Sequence, residues 1–178
     1  MRTATIVLAA YLVCVVVGAL WRLVPWFADA IPDLGALTAA YLGLTARRQV
    51  SPAIGGAIVL GYLIDLICGV PPGLLALVLA LTTLVARAVQ QRILVRGAAI
   101  SIAFSALIAL VAGVLAYLVR ALYRIPTATF SVELRHLVIV TLATAILGPL
   151  VWRIFRRIDA AFARTHRERD AALEGLAP

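Results

Sequence analysis

The chain has 178 residues, of which 64% belong to the hydrophobic set AVILMFWYC and only 13% are charged. Soluble domains are close to half apolar and about a quarter charged, so this composition, with a mean hydropathy of +1.07, indicates an integral membrane protein. At about 20 residues per crossing, the length allows five or six spans and excludes a secreted disulfide scaffold, a coiled coil, a disordered chain and a large extramembrane catalytic module.

Apolar segments separated by charges or turn residues predict one compact all-α bundle of six transmembrane helices, because lipid offers no hydrogen-bond partners to free backbone groups. The predicted spans are about 3–27, 33–46, 52–68, 74–93, 97–119 and 136–152. Residues 153–178 are predicted to form a basic, amphipathic cytoplasmic tail. The second segment has few uncharged residues for a crossing, so five spans plus one re-entrant segment is the alternative.

The net charge is +8, and the sixteen lysine or arginine positions are all arginine. In a membrane protein this charge indicates how the chain is oriented across the membrane, and it does not indicate nucleic-acid binding. With six spans and both termini inside, twelve arginines are cytoplasmic and four are outside, which follows the positive-inside rule. The five-span alternative exchanges Arg2 for Arg22 and keeps the same tally. Charge therefore places the C-terminus in the cytoplasm and leaves the side of the N-terminus open.

Small residues spaced by four lie on one helix face and let helices approach closely in lipid. The first span carries a short stripe of this kind at Ala10, Cys14 and Gly18. The longest stripe lies in the fifth span and consists of Gly97, Ser101, Ser105, Ala109 and Gly113. This fifth-span stripe either packs within the chain or docks the transmembrane helix of a partner.

Asp65 continues the small-residue series Ala53, Ala57 and Gly61 of the third span, so its side chain is expected to face protein near the outer interface. An ionisable group at that depth is usually paired and is a candidate functional site. We expect an outer-leaflet charge cluster in which Asp65 and Asp33 meet Arg22 or Arg120. A salt bridge that fixes helix packing and a site for a ligand or a proton are the two interpretations.

The sequence shows no catalytic constellation. His136 is expected outside and His166 in the cytoplasm, so the two histidines cannot share a metal ion. No nucleophile elbow and no glycine-rich phosphate loop is present. We therefore expect no enzyme activity, no metal and no cofactor.

The basic tail combines arginines with apolar residues at helical spacing. Its arginines include Arg153, Arg156, Arg157 and Arg164. This pattern predicts a helix that continues out of the sixth span along the inner surface, with its charges near anionic headgroups. Binding of a cytoplasmic protein is the alternative.

Two short motifs resemble a known family. They are Pro32-Asp33-Leu34 at the start of the second span and Asp65 followed by Gly69, Pro71 and Gly73. The sequence thereby resembles the bacterial rod shape-determining MreD family. The resemblance implies a multi-pass protein of the bacterial inner membrane that takes part, without enzymatic activity, in cell elongation, peptidoglycan synthesis and the maintenance of cell shape.

The partners that this resemblance implies are MreC, whose transmembrane helix the protein would hold, and further MreB, RodA and a penicillin-binding transpeptidase. Contact with membrane lipids is expected, and contact with nucleic acid is not.

A second interpretation is a substrate-binding S-component of an energy-coupling-factor vitamin or micronutrient transporter. S-components are also six-span proteins of this size, and the MreD family looks structurally similar to them. In that case the cluster around Asp65 and Arg120 would face a ligand cavity.

Overall fold

The computed structural model describes residues 2–22, 30–46, 50–91, 97–126 and 128–174, with the side chains of residues 2, 21, 22, 98 and 162–174 outside this description. The described residues form six α-helices and no β-strand, which confirms the predicted all-α class. The helices are α1 (Arg2–Arg22), α2 (Leu34–Thr45), α3 (Ser51–Cys68), α4 (Leu74–Gln90), α5 (Ala98–Leu122) and α6 (Phe130–Glu174).

Four of these helices are long and apolar enough to cross a membrane, namely α1, α3, α5 and α6. The other two are apolar but shorter. At 1.5 Å per residue, the 12 residues of α2 extend about 18 Å and the 17 residues of α4 about 26 Å, against a hydrocarbon core of about 30 Å. The structure thus gives the predicted number of helices, and six crossings stay a prediction.

The connections between the helices lie at two opposite ends of the bundle. At one end, which we call the turn end, lie the described parts of the α1–α2, α3–α4 and α5–α6 connections, at residues 30–33, 69–73, 123–126 and 128–129. At the opposite end, which we call the tail end, α6 continues toward its C-terminus. The helix α2 starts at the turn end and finishes at the tail end, so it runs through the bundle and does not fold back.

Helix α2 is the centre of the packing. Ten consecutive residues, from Leu34 to Gly43, are buried, and α2 packs against each of the other five helices. Both ends of α2 are stabilised by charged side chains. Asp33 Oδ1 accepts a hydrogen bond from the backbone N–H of Ala36 at 2.8 Å, and the Arg87 guanidinium donates to the carbonyl oxygen of Ala46. At each end of this short helix, a side chain from the protein thus satisfies one backbone group.

Glycines allow α4 to approach two neighbouring helices closely. A Cβ atom on Gly61 of α3 would lie 2.5 Å from the Cα of Ala76, and one on Gly43 of α2 would lie 2.5 Å from the carbonyl oxygen of Thr83. Contacts this short with backbone atoms are not tolerated, so only glycine fits at these crossings.

Helix α6 continues without a break past residue 152, where the sixth span was predicted to end. Its 45 residues extend about 68 Å, more than twice the hydrocarbon core. The segment just after residue 152 belongs to the bundle, because Phe155 is buried with its ring centroid 5.1 Å from that of Tyr41. The Tyr41 hydroxyl also donates to the Asp159 carboxylate. The boundary between bundle and tail therefore lies beyond the predicted one.

Candidate functional site

The Asp65 carboxylate is fully buried, with 0% of its surface exposed, and it binds the N-terminus of α4. Its Oδ2 atom accepts hydrogen bonds from the backbone N–H groups of Gly73 at 2.9 Å and Ala76 at 3.4 Å, and its Oδ1 atom accepts one from Leu75 at 3.0 Å. The first N–H groups of a helix lack partners within the helix and carry partial positive charge. Asp65 supplies both the missing acceptors and the compensating negative charge.

The turn between α3 and α4 brings Asp65 to this position. Helix α3 ends at Cys68 and is followed by Gly69, which has a left-handed φ of 65°, and α4 is preceded by Gly73, with a φ of 100°. Residues with a Cβ atom rarely adopt these angles, so the two glycines permit a tight reversal around Pro71. The residues that resemble the MreD family in this segment therefore form one structural unit.

Asp65 lies inside the protein, where the sequence placed it, but Arg120, one of the two arginines expected beside it, does not pair with it in the described residues. Arg120 instead forms a salt bridge with Glu133 of α6, with Nη1 and Oε1 3.4 Å apart. Sequence reasoning missed Glu133, although an acidic residue in the first turn of α6, shortly after Arg120 in the chain, was a usable signal. The side chain of Arg22 lies outside the described residues.

The second aspartate of the expected cluster, Asp33, also has a capping role. Besides accepting from Ala36, Asp33 donates its backbone N–H to the Thr144 hydroxyl oxygen at 2.9 Å, which joins the start of α2 to α6. Asp33 and Asp65 thus each stabilise the N-terminus of a short helix, and among the described residues no ion pair links the two carboxylates.

The fifth-span stripe packs mainly within the chain. Ser105 and Ala109 are buried, and a Cβ atom on Gly148 of α6 would collide with the Ser105 side chain. A Cβ atom on Gly113 would likewise collide with Leu137. The middle of this stripe is therefore occupied by α6 and is not free to dock a partner, whereas Gly97 and Ser101 lie at its less buried end.

The arginines predicted for the tail are only partly described. Arg153, Arg156 and Arg157 are exposed on α6, and Arg156 donates to the carbonyl oxygen of Trp152 at 3.3 Å. The side chain of Arg164 lies outside the described residues.

A cavity of about 710 Å³ opens between α1, α2, α3 and α6 at the turn end. Its wall is mostly apolar, and Asp33 and His136 supply the ionisable groups other than the thiols. Helix α1 contributes Cys14 and Gly18, two members of the short stripe in the first predicted span. This volume lies within the range of small-molecule sites, which are typically apolar with a few polar groups. Sequence reasoning did not anticipate His136 in this wall, because the helix faces that meet there depend on packing.

The side chains in the described ranges offer no group of three or more His, Cys, Asp or Glu that is able to hold a metal ion. The volume and the mostly apolar wall of the cavity make it a candidate for binding an organic molecule or a helix.

The fold and site define a helical protein with four helices suited to crossing a membrane and an open apolar cavity at one end. Comparison with known proteins finds no matching family model, no matching curated protein and no matching solved structure. The resemblance to the MreD family and the similarity to S-components therefore stay predictions from the sequence.

Proposed function

We propose that this chain is a non-enzymatic subunit of the bacterial cell-elongation complex in the inner membrane, with its C-terminus in the cytoplasm, and that it holds the transmembrane helix of MreC. MreB, RodA and a penicillin-binding transpeptidase are the further partners of this proposal. Support comes from the resemblance of the Asp33 and Asp65 segments to the MreD family, and from the structural unit that the second of these segments forms.

The observation that carries the docking proposal is the uncovered small-residue face of α1. Ala10 is buried in the bundle, but Cys14 and Gly18 line the open cavity, and no atom of the described residues lies within 4 Å of a Cβ built on Gly18. Of its neighbours, α1 touches α6 least. Small residues beside such a gap let a second helix approach closely. The groove between α1 and α6 thus replaces the fifth-span stripe as the proposed MreC site.

Two glycine substitutions test this proposal. Gly18→Leu fills the groove, whereas Gly55→Leu places the same side chain in equally open space on α3, away from the cavity. We expect Gly18→Leu to lower the recovery of MreC with the affinity-purified chain in mild detergent, and Gly55→Leu to leave it unchanged. In cells, Gly18→Leu is expected to cause rounding while the protein level stays normal. Equal MreC recovery with both variants would refute docking in this groove.

The cavity also favours a second candidate function, binding of a vitamin or micronutrient by an S-component. In this alternative a small molecule occupies the same 710 Å³ and contacts Asp33 and His136. A compound released from the gently purified chain, and uptake that is lost in Asp33→Asn, would support transport. Asparagine retains helix-capping ability, so this variant removes the charge and keeps the fold. MreC recovery with no bound compound would instead support scaffolding.

A further inference from the structure

A second, smaller pocket of about 280 Å³ lies between the end of α5 and the start of α6 at the turn end. Three cationic or potentially cationic side chains, Arg120, Arg135 and His136, line it together with one carboxylate, Glu133. Glu133 pairs with Arg120 at 3.4 Å. Arg135 and His136 are exposed and, within the described part of the chain, make no ion pair. The pocket therefore carries uncompensated positive charge.

Arg120 also has unused hydrogen-bond donors in this pocket. Its Nε donates to the Ala116 carbonyl at 3.2 Å and its Nη1 to Glu133, and the other three of the five guanidinium N–H groups have no partner among the described residues. Arginine binds phosphate oxygens in a planar, often bidentate geometry. A phosphate group placed between Arg120 and Arg135 would meet these donors.

Large apolar side chains surround the same connection and are exposed. Leu122 is 79% exposed, and Tyr123 and Phe130 are each 67% exposed. Apolar side chains this exposed are typical of surfaces that contact acyl chains, and tyrosine is enriched at the membrane interface. Positive charge next to apolar surface matches a phospholipid, which carries its phosphate directly above its acyl chains.

We propose that the pocket formed by Arg120, Glu133, Arg135 and His136 binds the phosphate of an anionic phospholipid. Glu133 holds Arg120 in place, Arg135 and His136 supply unpaired donors, and Leu122 and Phe130 contact the acyl chains. This site is distinct from the proposed MreC groove, although His136 borders both cavities.

The test uses the full chain in lipid nanodiscs that contain a phosphatidylglycerol probe with a photoactivatable headgroup, or a phosphatidylcholine probe with the same acyl chains. Crosslinks are mapped by mass spectrometry after digestion with a protease that does not cleave at arginine. We expect the phosphatidylglycerol probe to label residues 120–139. Arg135→Gln is expected to lower that labelling roughly fivefold, the effect of one interfacial cation.

Arg135→Lys keeps the charge and is expected to retain most labelling. Arg157→Gln removes an exposed arginine at the tail end and is expected to leave labelling of residues 120–139 unchanged. Both Arg135 variants change an exposed side chain, so folding is expected to stay normal and is checked by size-exclusion chromatography. Equal labelling by both probes, or no effect of Arg135→Gln, would overturn the proposal. Loss of labelling in millimolar phosphate would also overturn the proposal, because it would indicate a site for a free anion. Displacement of the lipid probe by an acidic peptide would overturn it as well.

Discussion

Replacement of Asp65 by asparagine is expected to destabilise the protein strongly, although the two side chains have the same shape. Asp65 accepts three backbone hydrogen bonds, two at Oδ2 and one at Oδ1. An amide side chain has only one oxygen, so its NH₂ group must face an N–H donor of α4. The best orientation keeps the bonds from Gly73 and Ala76 and turns the NH₂ group toward the N–H of Leu75.

The size of the effect follows from these contacts. One backbone donor loses its acceptor, at about 1–3 kcal/mol, and the interaction of a full negative charge with the helix N-terminus, up to about 2 kcal/mol when partly buried, is lost as well. We therefore expect Asp65→Asn to lower the free energy of unfolding by about 2–4 kcal/mol. Asp65→Ala removes all three acceptors and is expected to cost more.

The matched control is Asp33→Asn. In this variant the amide oxygen still accepts from the N–H of Ala36, as expected of a good N-cap residue. The interaction of the charge with the helix N-terminus, up to about 2 kcal/mol, is lost, so we expect a smaller cost than for Asp65→Asn. The assay is reversible unfolding of the purified chain in mixed micelles with increasing denaturing detergent, followed by tryptophan fluorescence. If Asp65→Asn were no more destabilising than Asp33→Asn, the capping role of Asp65 would be wrong.

Three further outcomes are expected. Gly61→Ala places a Cβ 2.5 Å from the Ala76 Cα and is expected to lower the free energy of unfolding by about 1–3 kcal/mol in the same assay. Its control, Gly55→Ala, lies in open space and is expected to be neutral or slightly stabilising. Tyr41→Phe removes the hydroxyl that binds Asp159 and is expected to lower the free energy of unfolding by about 1–3 kcal/mol. Its control, Tyr62→Phe, changes an exposed side chain and is expected to lower it by less than about 0.5 kcal/mol. A reporter fused after residue 29 is expected outside the cytoplasm if the chain crosses six times.

A specific result would contradict each of these three predictions. Equal stability of the two glycine variants would contradict the close crossing of α3 and α4, and equal stability of the two tyrosine variants would contradict a stabilising role for the contact between α2 and α6. A cytoplasmic reporter after residue 29 would favour the five-span topology.

The helices were largely predictable because hydropathy and turn residues act locally. The Gly69 to Gly73 segment marked the end of α3 and the start of α4, and the small-residue series that includes Gly61 pointed to a close helix contact. The end of the bundle on α6 was not predictable in this way. Arg153, Arg156 and Arg157 suggested that the bundle ended at residue 152, but the ring of Tyr41, far earlier in the chain, packs on Phe155 and keeps the next turns in the core.

The same contrast between local sequence signals and tertiary contacts applies to the candidate sites. Charge near a predicted membrane interface singled out Asp33, Asp65 and Arg120 but did not identify their partners, which are the N-termini of α2 and α4 and the carboxylate of Glu133. The N–H groups that Asp65 binds lie 8 to 11 residues further along the chain, so their use as charge partners emerges only when the turn is folded.

By itself, the sequence determined that the chain is apolar and helical, because composition, hydropathy and turn residues are properties of single segments. Tertiary structure decided which small-residue faces are occupied: α6 covers the middle of the fifth-span stripe, and the Cys14 and Gly18 face of α1 stays open to a cavity. The physical reason is that a small-residue stripe permits close approach without specifying its partner. The partner depends on the packing of all six helices together.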